Sequence, residues 1–90
     1  LAHFNFIGDS IVGSNINFEA GSITANHFNE RESKNISVLM NGQRVDTKQQ
    51  KFGALVGDGS KIGANAVLSP GTILEPSSIV RRLELVDQLK

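Results

Sequence analysis

The 90-residue chain contains no cysteine. That excludes a disulfide framework, thiolate metal ligands and a cysteine nucleophile, and it permits a reducing compartment. An excess of charge of either sign is also missing: nine lysines and arginines stand against nine acids. No broad basic field therefore exists to hold nucleic acid or an anionic lipid surface, and neither is expected as a partner. No apolar run approaches the roughly 20 residues of a membrane span, and no charged start followed by an apolar stretch reads as a signal peptide. A soluble cytoplasmic protein without a membrane partner is the expectation. Histidine is scarce, with only His3 and His27, too few for a three-histidine zinc site, so no metal is expected. Gly57-Asp58-Gly59 is followed by no Gly-Lys-Ser/Thr after a strand, which rules out a phosphate loop. Ser60, Ser69, Ser77 and Ser78 have no histidine near them in sequence, leaving a serine nucleophile unsupported.

What is present is a repeat of six. Val56-Gly57-Asp58-Gly59-Ser60-Lys61, Ile62-Gly63-Ala64-Asn65-Ala66-Val67, Leu68-Ser69-Pro70-Gly71-Thr72-Ile73 and Leu74-Glu75-Pro76-Ser77-Ser78-Ile79 each open on an aliphatic residue. A small residue, Ser60, Ala66, Thr72 or Ser78, stands four places later. This period fits neither an amphipathic helix nor an alternating strand. It fits a chain wound as a triangular prism, in which each hexapeptide makes one face and three make a coil of roughly eighteen residues. The opening aliphatic points inward, the small residue lets the corner bend, and Gly57, Gly63 and Gly71 relieve steric limits on the turns. Phe6, Val12, Phe18 and Thr24 continue the spacing, with Ser10, Ile16 and Ser22 four places on. The fold class is all-β, in one domain over residues 1–90. A chain of this size buries a modest fraction of its surface, and help from neighbouring subunits is expected.

The repeat breaks between Ala25 and Leu55, because Thr24 and Val56 are not separated by a multiple of six. Ile36 to Met40, then Asn41-Gly42, then Gln43 to Thr47 reads as two strands joined by an Asn-Gly turn, so a β-hairpin is expected to project over about 28–52. Arg31, Lys34, Lys48 and Lys51 flank it, either as ordinary solvated charge or as groups facing an anionic ligand against the prism. From Arg81 onward the rule lapses, and Leu85 with Leu89 predicts a short C-terminal helix, a cover for the open end of the solenoid or a contact with a neighbour.

Ala2-His3-Phe4-Asn5-Phe6-Ile7-Gly8-Asp9, followed by Asn15-Ile16-Asn17-Phe18-Glu19-Ala20-Gly21-Ser22-Ile23-Thr24-Ala25-Asn26, resembles the C-terminal acetyltransferase domain of the bifunctional N-acetylglucosamine-1-phosphate uridyltransferases. The archaeal-type sugar-1-phosphate nucleotidyltransferases resemble it more closely, since they too carry a hairpin-sized insertion ending in a Lys-Leu-Gly-Ala-like stretch, here Lys51-Phe52-Gly53-Ala54. The resemblance covers about residues 2–80. It implies a left-handed parallel β-helix, a homotrimer with sites between adjacent prisms, and acetyl-CoA as co-substrate with an amino-sugar 1-phosphate as acceptor. It further implies that His3 is the general base, which suits an imidazole that titrates near neutral pH. Asn17 and Asn26 would hold the sugar, amides offering both donor and acceptor to hydroxyls. Ala20 and Ala64 would let the backbone approach the acetyl-CoA arm, and Lys34 or Arg31 would meet the phosphate. Phe6 stands where the family has a substrate-contacting tyrosine, His27 replaces another aromatic, and Glu19 replaces a glycine beside the cofactor path. The start at Leu1 in mid-pattern is read as a piece of a longer polypeptide, its nucleotidyltransferase domain upstream. The alternative from a different class is a non-catalytic trimerisation platform for that domain. On residue type alone, His3 also suits a surface or subunit-contact role, and Asn17 and Asn26 suit solenoid corners.

Overall fold

A computed structural model describes residues 5–89. Ten short strands wind around a narrow core: β1 (Phe6–Ile7), β2 (Ile11–Val12), β3 (Asn17–Phe18), β4 (Ile23–Thr24), then, after an insertion with strands β5 (Ile36–Met40) and β6 (Gln43–Gln49), β7 (Ala54–Val56), β8 (Lys61–Ile62), β9 (Val67–Leu68), β10 (Thr72–Leu74), β11 (Ile79–Val80) and β12 (Leu85–Val86). They form three parallel walls: β1-β4-β9-β12, β2-β7-β10 and β3-β8-β11, called here walls A, B and C. In the second half Ala54 pairs with Thr72, Lys61 with Ile79 and Val67 with Leu85, each eighteen positions apart. The hexapeptide rule and the triangular coil are thus as read from the sequence, and the chain is an all-β parallel β-helix.

Each wall sends one row inward. Thr24 and Leu68 line wall A, Val56 wall B, and Phe18, Ile62 and Val80 wall C, all buried. The Thr24 hydroxyl is buried with no hydrogen-bond partner among the described residues. The small residue four places after each opener does more than make room. Ser22, Ser60, Thr72 and Ser78 each donate a hydroxyl hydrogen bond to the carbonyl three residues back, on Glu19, Gly57, Ser69 and Glu75, at 2.6–2.8 Å. A short hydroxyl side chain bonding its own backbone is the local interaction that favours turns. The glycines serve unequally. Gly71 has φ +88°, as expected of a corner, whereas at Gly57 and Gly63 an added Cβ would run into the backbone of Glu75–Pro76 and Arg81–Arg82 one coil on.

Two sequence expectations need correction. Phe6 does not point inward; it is 51% exposed, and Ile7 pairs with Thr24 in the inward row. The step from Ile7 to Val12 is one residue shorter than that from Leu68 to Leu74, the corner being tightened at Asp9 with φ +43°, and a one-residue shift exchanges the faces of a strand. The expected C-terminal helix is absent: Val86 continues the period of six from Val80, and β12 pairs in parallel with β9. Gln88 then lays its side-chain amide on β10, accepting from Ile73 N–H at 2.8 Å and donating to Ile73 O at 2.7 Å. As expected, β5 and β6 pair antiparallel around Asn41-Gly42, both at positive φ. On β5, Ile36 and Val38 are buried and Gly71 abuts Ile36 and Ser37, while Leu39, Met40 and all of β6 except half-buried Thr47 are exposed.

The insertion leaves the winding intact. Phe52 N–H donates to Asn26 O at 2.9 Å, which closes its neck, and Gly53 N–H donates to Asp9 O at 2.9 Å, which resumes the coil. Val12 accordingly pairs with Val56, Phe18 with Ile62 and Thr24 with Leu68, each forty-four positions apart, one coil plus twenty-six inserted residues.

Candidate functional site

Alternation on wall C turns Phe18, Ile62 and Val80 inward, so Asn17, Lys61 and Ile79 form the outward row. The chain then bends through Gly21, Asn65 and Leu83, all at positive φ, and the residues just before the bend, Glu19-Ala20, Gly63-Ala64 and Arg81-Arg82, edge the wall. Beside them runs a groove of about 360 Å³ whose lining includes Asn17, Glu19, Lys61, Ile79, Arg81 and Arg82. Ala20 and Ala64 stack at this corner, their carbonyls accepting from Asn65 N–H (3.1 Å) and Leu83 N–H (2.9 Å) of the following coils. The Ala64 N–H donates sideways to Glu19 Oε1 at 3.0 Å. The same oxygen lies 3.9 Å from Arg82 Nε. Among the lining residues Lys61, Arg81 and Arg82 outnumber the carboxylate of Glu19, with Glu84 Oε1 held on the Arg81 N–H at the margin, a cationic balance suited to an anionic ligand.

The far edge of wall A gathers the other candidates. Asn26 follows β4 and donates from Nδ2 to Asp9 Oδ2 at 2.7 Å. Arg31 stacks its guanidinium 3.6 Å over the Phe28 ring, which orders the head of an exposed side chain. With exposed His27 it borders a depression of about 290 Å³ whose floor includes Val67 and Leu85. Lys34 is engaged otherwise: its ammonium donates to Phe28 O at 3.2 Å and Asn29 O at 3.0 Å, holding the insertion's first loop. His3 lies outside the described residues.

One prism therefore brings Asn17, Ala20 and Ala64 together, and separately Asn26, Arg31 and Lys34, on opposite edges of wall A. Lys61, Arg81, Arg82 and the Glu19–Ala64 contact were missed in sequence. A period of eighteen with the insertion removed would have found them, because it sets Arg82 above Ala64 and Ala20.

Comparison with known proteins gives the geometry a context. No protein-family model matches the chain. The bifunctional sugar-1-phosphate nucleotidylyltransferase/acetyltransferase of Sulfurisphaera tokodaii is 35% identical over 72 residues, covering 79% of this chain and 17% of that protein. The bifunctional protein GlmU of Methanococcus vannielii is 36% identical over 88 residues, 98% of this chain and 20% of the relative. That of Methanococcus maripaludis strain C7 is 34% identical over 88 residues, 97% and 20%. The chain belongs with the C-terminal acetyltransferase-like domain of these bifunctional proteins. It spans about a fifth or less of the length of these curated relatives. Of the three residues noted above as departures from the resemblance, Glu19 lies in the wall C groove, Phe6 on wall A and His27 beside the depression there.

Proposed function

We propose that this chain is the acetyl-transferring β-helix of a bifunctional sugar-phosphate nucleotidyltransferase, moving the acetyl group of acetyl-CoA to the amino group of an amino-sugar 1-phosphate. The similarity of 79% of the chain to a protein named for both activities, and of nearly the whole chain to a bifunctional protein GlmU, carries the reading, and the cationic groove over wall C supports it. The amine nitrogen attacks the thioester carbonyl, the C–S bond breaks, and coenzyme A leaves as its thiolate. His3 takes the proton that the amine sheds, since only a neutral amine is a nucleophile and imidazole exchanges protons near neutral pH. Asn17 and Asn26 orient the sugar. Arg31, held over Phe28, meets the phosphate, while Lys34 serves it indirectly by fixing the loop that carries Arg31. Ala20 and Ala64 present backbone to the pantetheine arm.

The two groups of candidates lie on opposite edges of one wall, so a complete site takes one edge from each of two chains, in keeping with a trimer of left-handed prisms. The outward row of wall A between those edges, Phe6, Ile23, Val67 and Leu85, is apolar throughout, which suits the core of a contact between like subunits. Cytoplasmic location goes with these substrates. The test is coenzyme A release from acetyl-CoA and glucosamine-1-phosphate by the complete polypeptide, with and without His3→Ala. The variant is expected to lose roughly a hundredfold or more in turnover. An unchanged rate would remove His3 from the mechanism, and a wild-type protein that neither turns over nor binds acetyl-CoA would be a platform only.

A further inference from the structure

At the corner after wall C, successive coils are joined backbone to backbone, Asn65 N–H to Ala20 O and Leu83 N–H to Ala64 O. Two amides here bond carboxylates instead: Arg81 N–H donates to Glu84 Oε1 within its own turn, and the Ala64 N–H reaches between coils. It donates to a side-chain carboxylate, Glu19 Oε1, from 45 residues earlier in the chain. Nothing in the winding requires this contact. One coil on, the residue corresponding to Glu19 is Gly63, which has no side chain, and the amide corresponding to that of Ala64 belongs to Arg82. An amide N–H that a groove-lining carboxylate reaches is one that a ligand carbonyl in the same groove can also reach. The Glu19 carboxylate is placed to leave: its side chain is 44% exposed, and its ion pair with Arg82, at 3.9 Å and itself 76% exposed, is of the weak surface kind.

We infer that Glu19 is an internal competitor for the acetyl-CoA lane, its carboxylate occupying the Ala64 amide in the free protein and swinging away when an anionic, amide-bearing ligand enters. The inference rests on the assignment of Ala20 and Ala64 to that lane. Two effects set its sign. A charged acceptor makes a stronger hydrogen bond than the neutral carbonyl that replaces it, and the carboxylate opposes the ligand's phosphates where Lys61, Arg81 and Arg82 attract them. Its departure also frees Arg82 for the ligand. Glu19 thereby lowers affinity for acetyl-CoA and favours release of coenzyme A after transfer.

Titration calorimetry of acetyl-CoA into the complete polypeptide, comparing wild type with Glu19→Ala and Glu19→Gln, tests this. Glu19→Ala is expected to bind roughly tenfold tighter, the scale of one hydrogen bond exchanged. Glu19→Gln, which keeps the acceptor oxygen and loses the charge, should fall between. Amide exchange at Ala64 in the free protein should speed up in Glu19→Ala and stay near wild type in Glu19→Gln, a readout independent of binding. Equal affinities in all three, or weaker binding by Glu19→Ala, would overturn the inference and leave the acetyl-CoA reading standing. No saturable binding by any of them would overturn both.

Discussion

From Ala54 to Val86 every wall repeats at eighteen residues, whereas before it the first coil is one residue short and the second is interrupted by twenty-six. Both stretches nevertheless feed the same three inward rows. Conformity at every corner is therefore unnecessary. What must recur is a residue that fills its inward row, usually apolar and once Thr24, and a strand in its ladder, and the chain between them is free to shorten, as at Asp9, or to leave and return, as between Asn26 and Phe52. The candidate site uses that freedom: Glu19 and Ala64 meet because the insertion closes at its neck.

If burial in the rows decides stability, the two stretches should respond unequally to truncation. Leu68→Ala, at a fully buried position of the regular stretch, should cost about 2–5 kcal/mol in denaturant unfolding. Val12→Ala, 37% exposed in the irregular one, should cost about 1 kcal/mol or less, since little of its area is withdrawn from water. Equal losses would break the comparison. A smaller effect sharpens it at the other end. Leu83 turns its corner at φ +63° while 75% exposed, a backbone region that penalises most side chains and is tolerated by asparagine. Leu83→Asn should thus raise stability by about 0.5 kcal/mol, visible as a small upward shift in melting temperature; a loss would mean that Leu83 is covered by a partner.

Leu83 also explains where sequence reading stopped. The regular stretch was legible because Gly59, Asn65 and Gly71 mark its corners with residues that accept positive φ, and because Ser60, Ala66 and Thr72 keep the small position. At Leu83 the corner carries no such mark, so Leu85 and Leu89 read as helical although the period of six runs on from Val80 to Val86. The Asn41-Gly42 turn was legible for the opposite reason, a strong local signal. The slip at Phe6 was not, because a corner shortened by one residue leaves no trace in composition. Among candidate site residues, Asn17, Ala20 and Ala64 were proposed from the family resemblance rather than from the repeat. Glu19 on Ala64 was not foreseen, being a contact between coils across the insertion, and neither was the use of Lys34 to hold Phe28 and Asn29.

Cross-linking across the insertion tests the winding and the groove at once. The chain has no native cysteine, and Asn17 and Lys61 are outward neighbours on adjacent strands of wall C, at a spacing of roughly 4.8 Å that a disulfide can span. Asn17→Cys with Lys61→Cys should close under mild oxidation in the folded protein, while Asn17→Cys with Ile79→Cys, two strands apart, should stay reduced. Failure of the first pair to close, or equal closure of both, would contradict a coil that resumes in register after the insertion and, with it, the shared edge on which the candidate site is built.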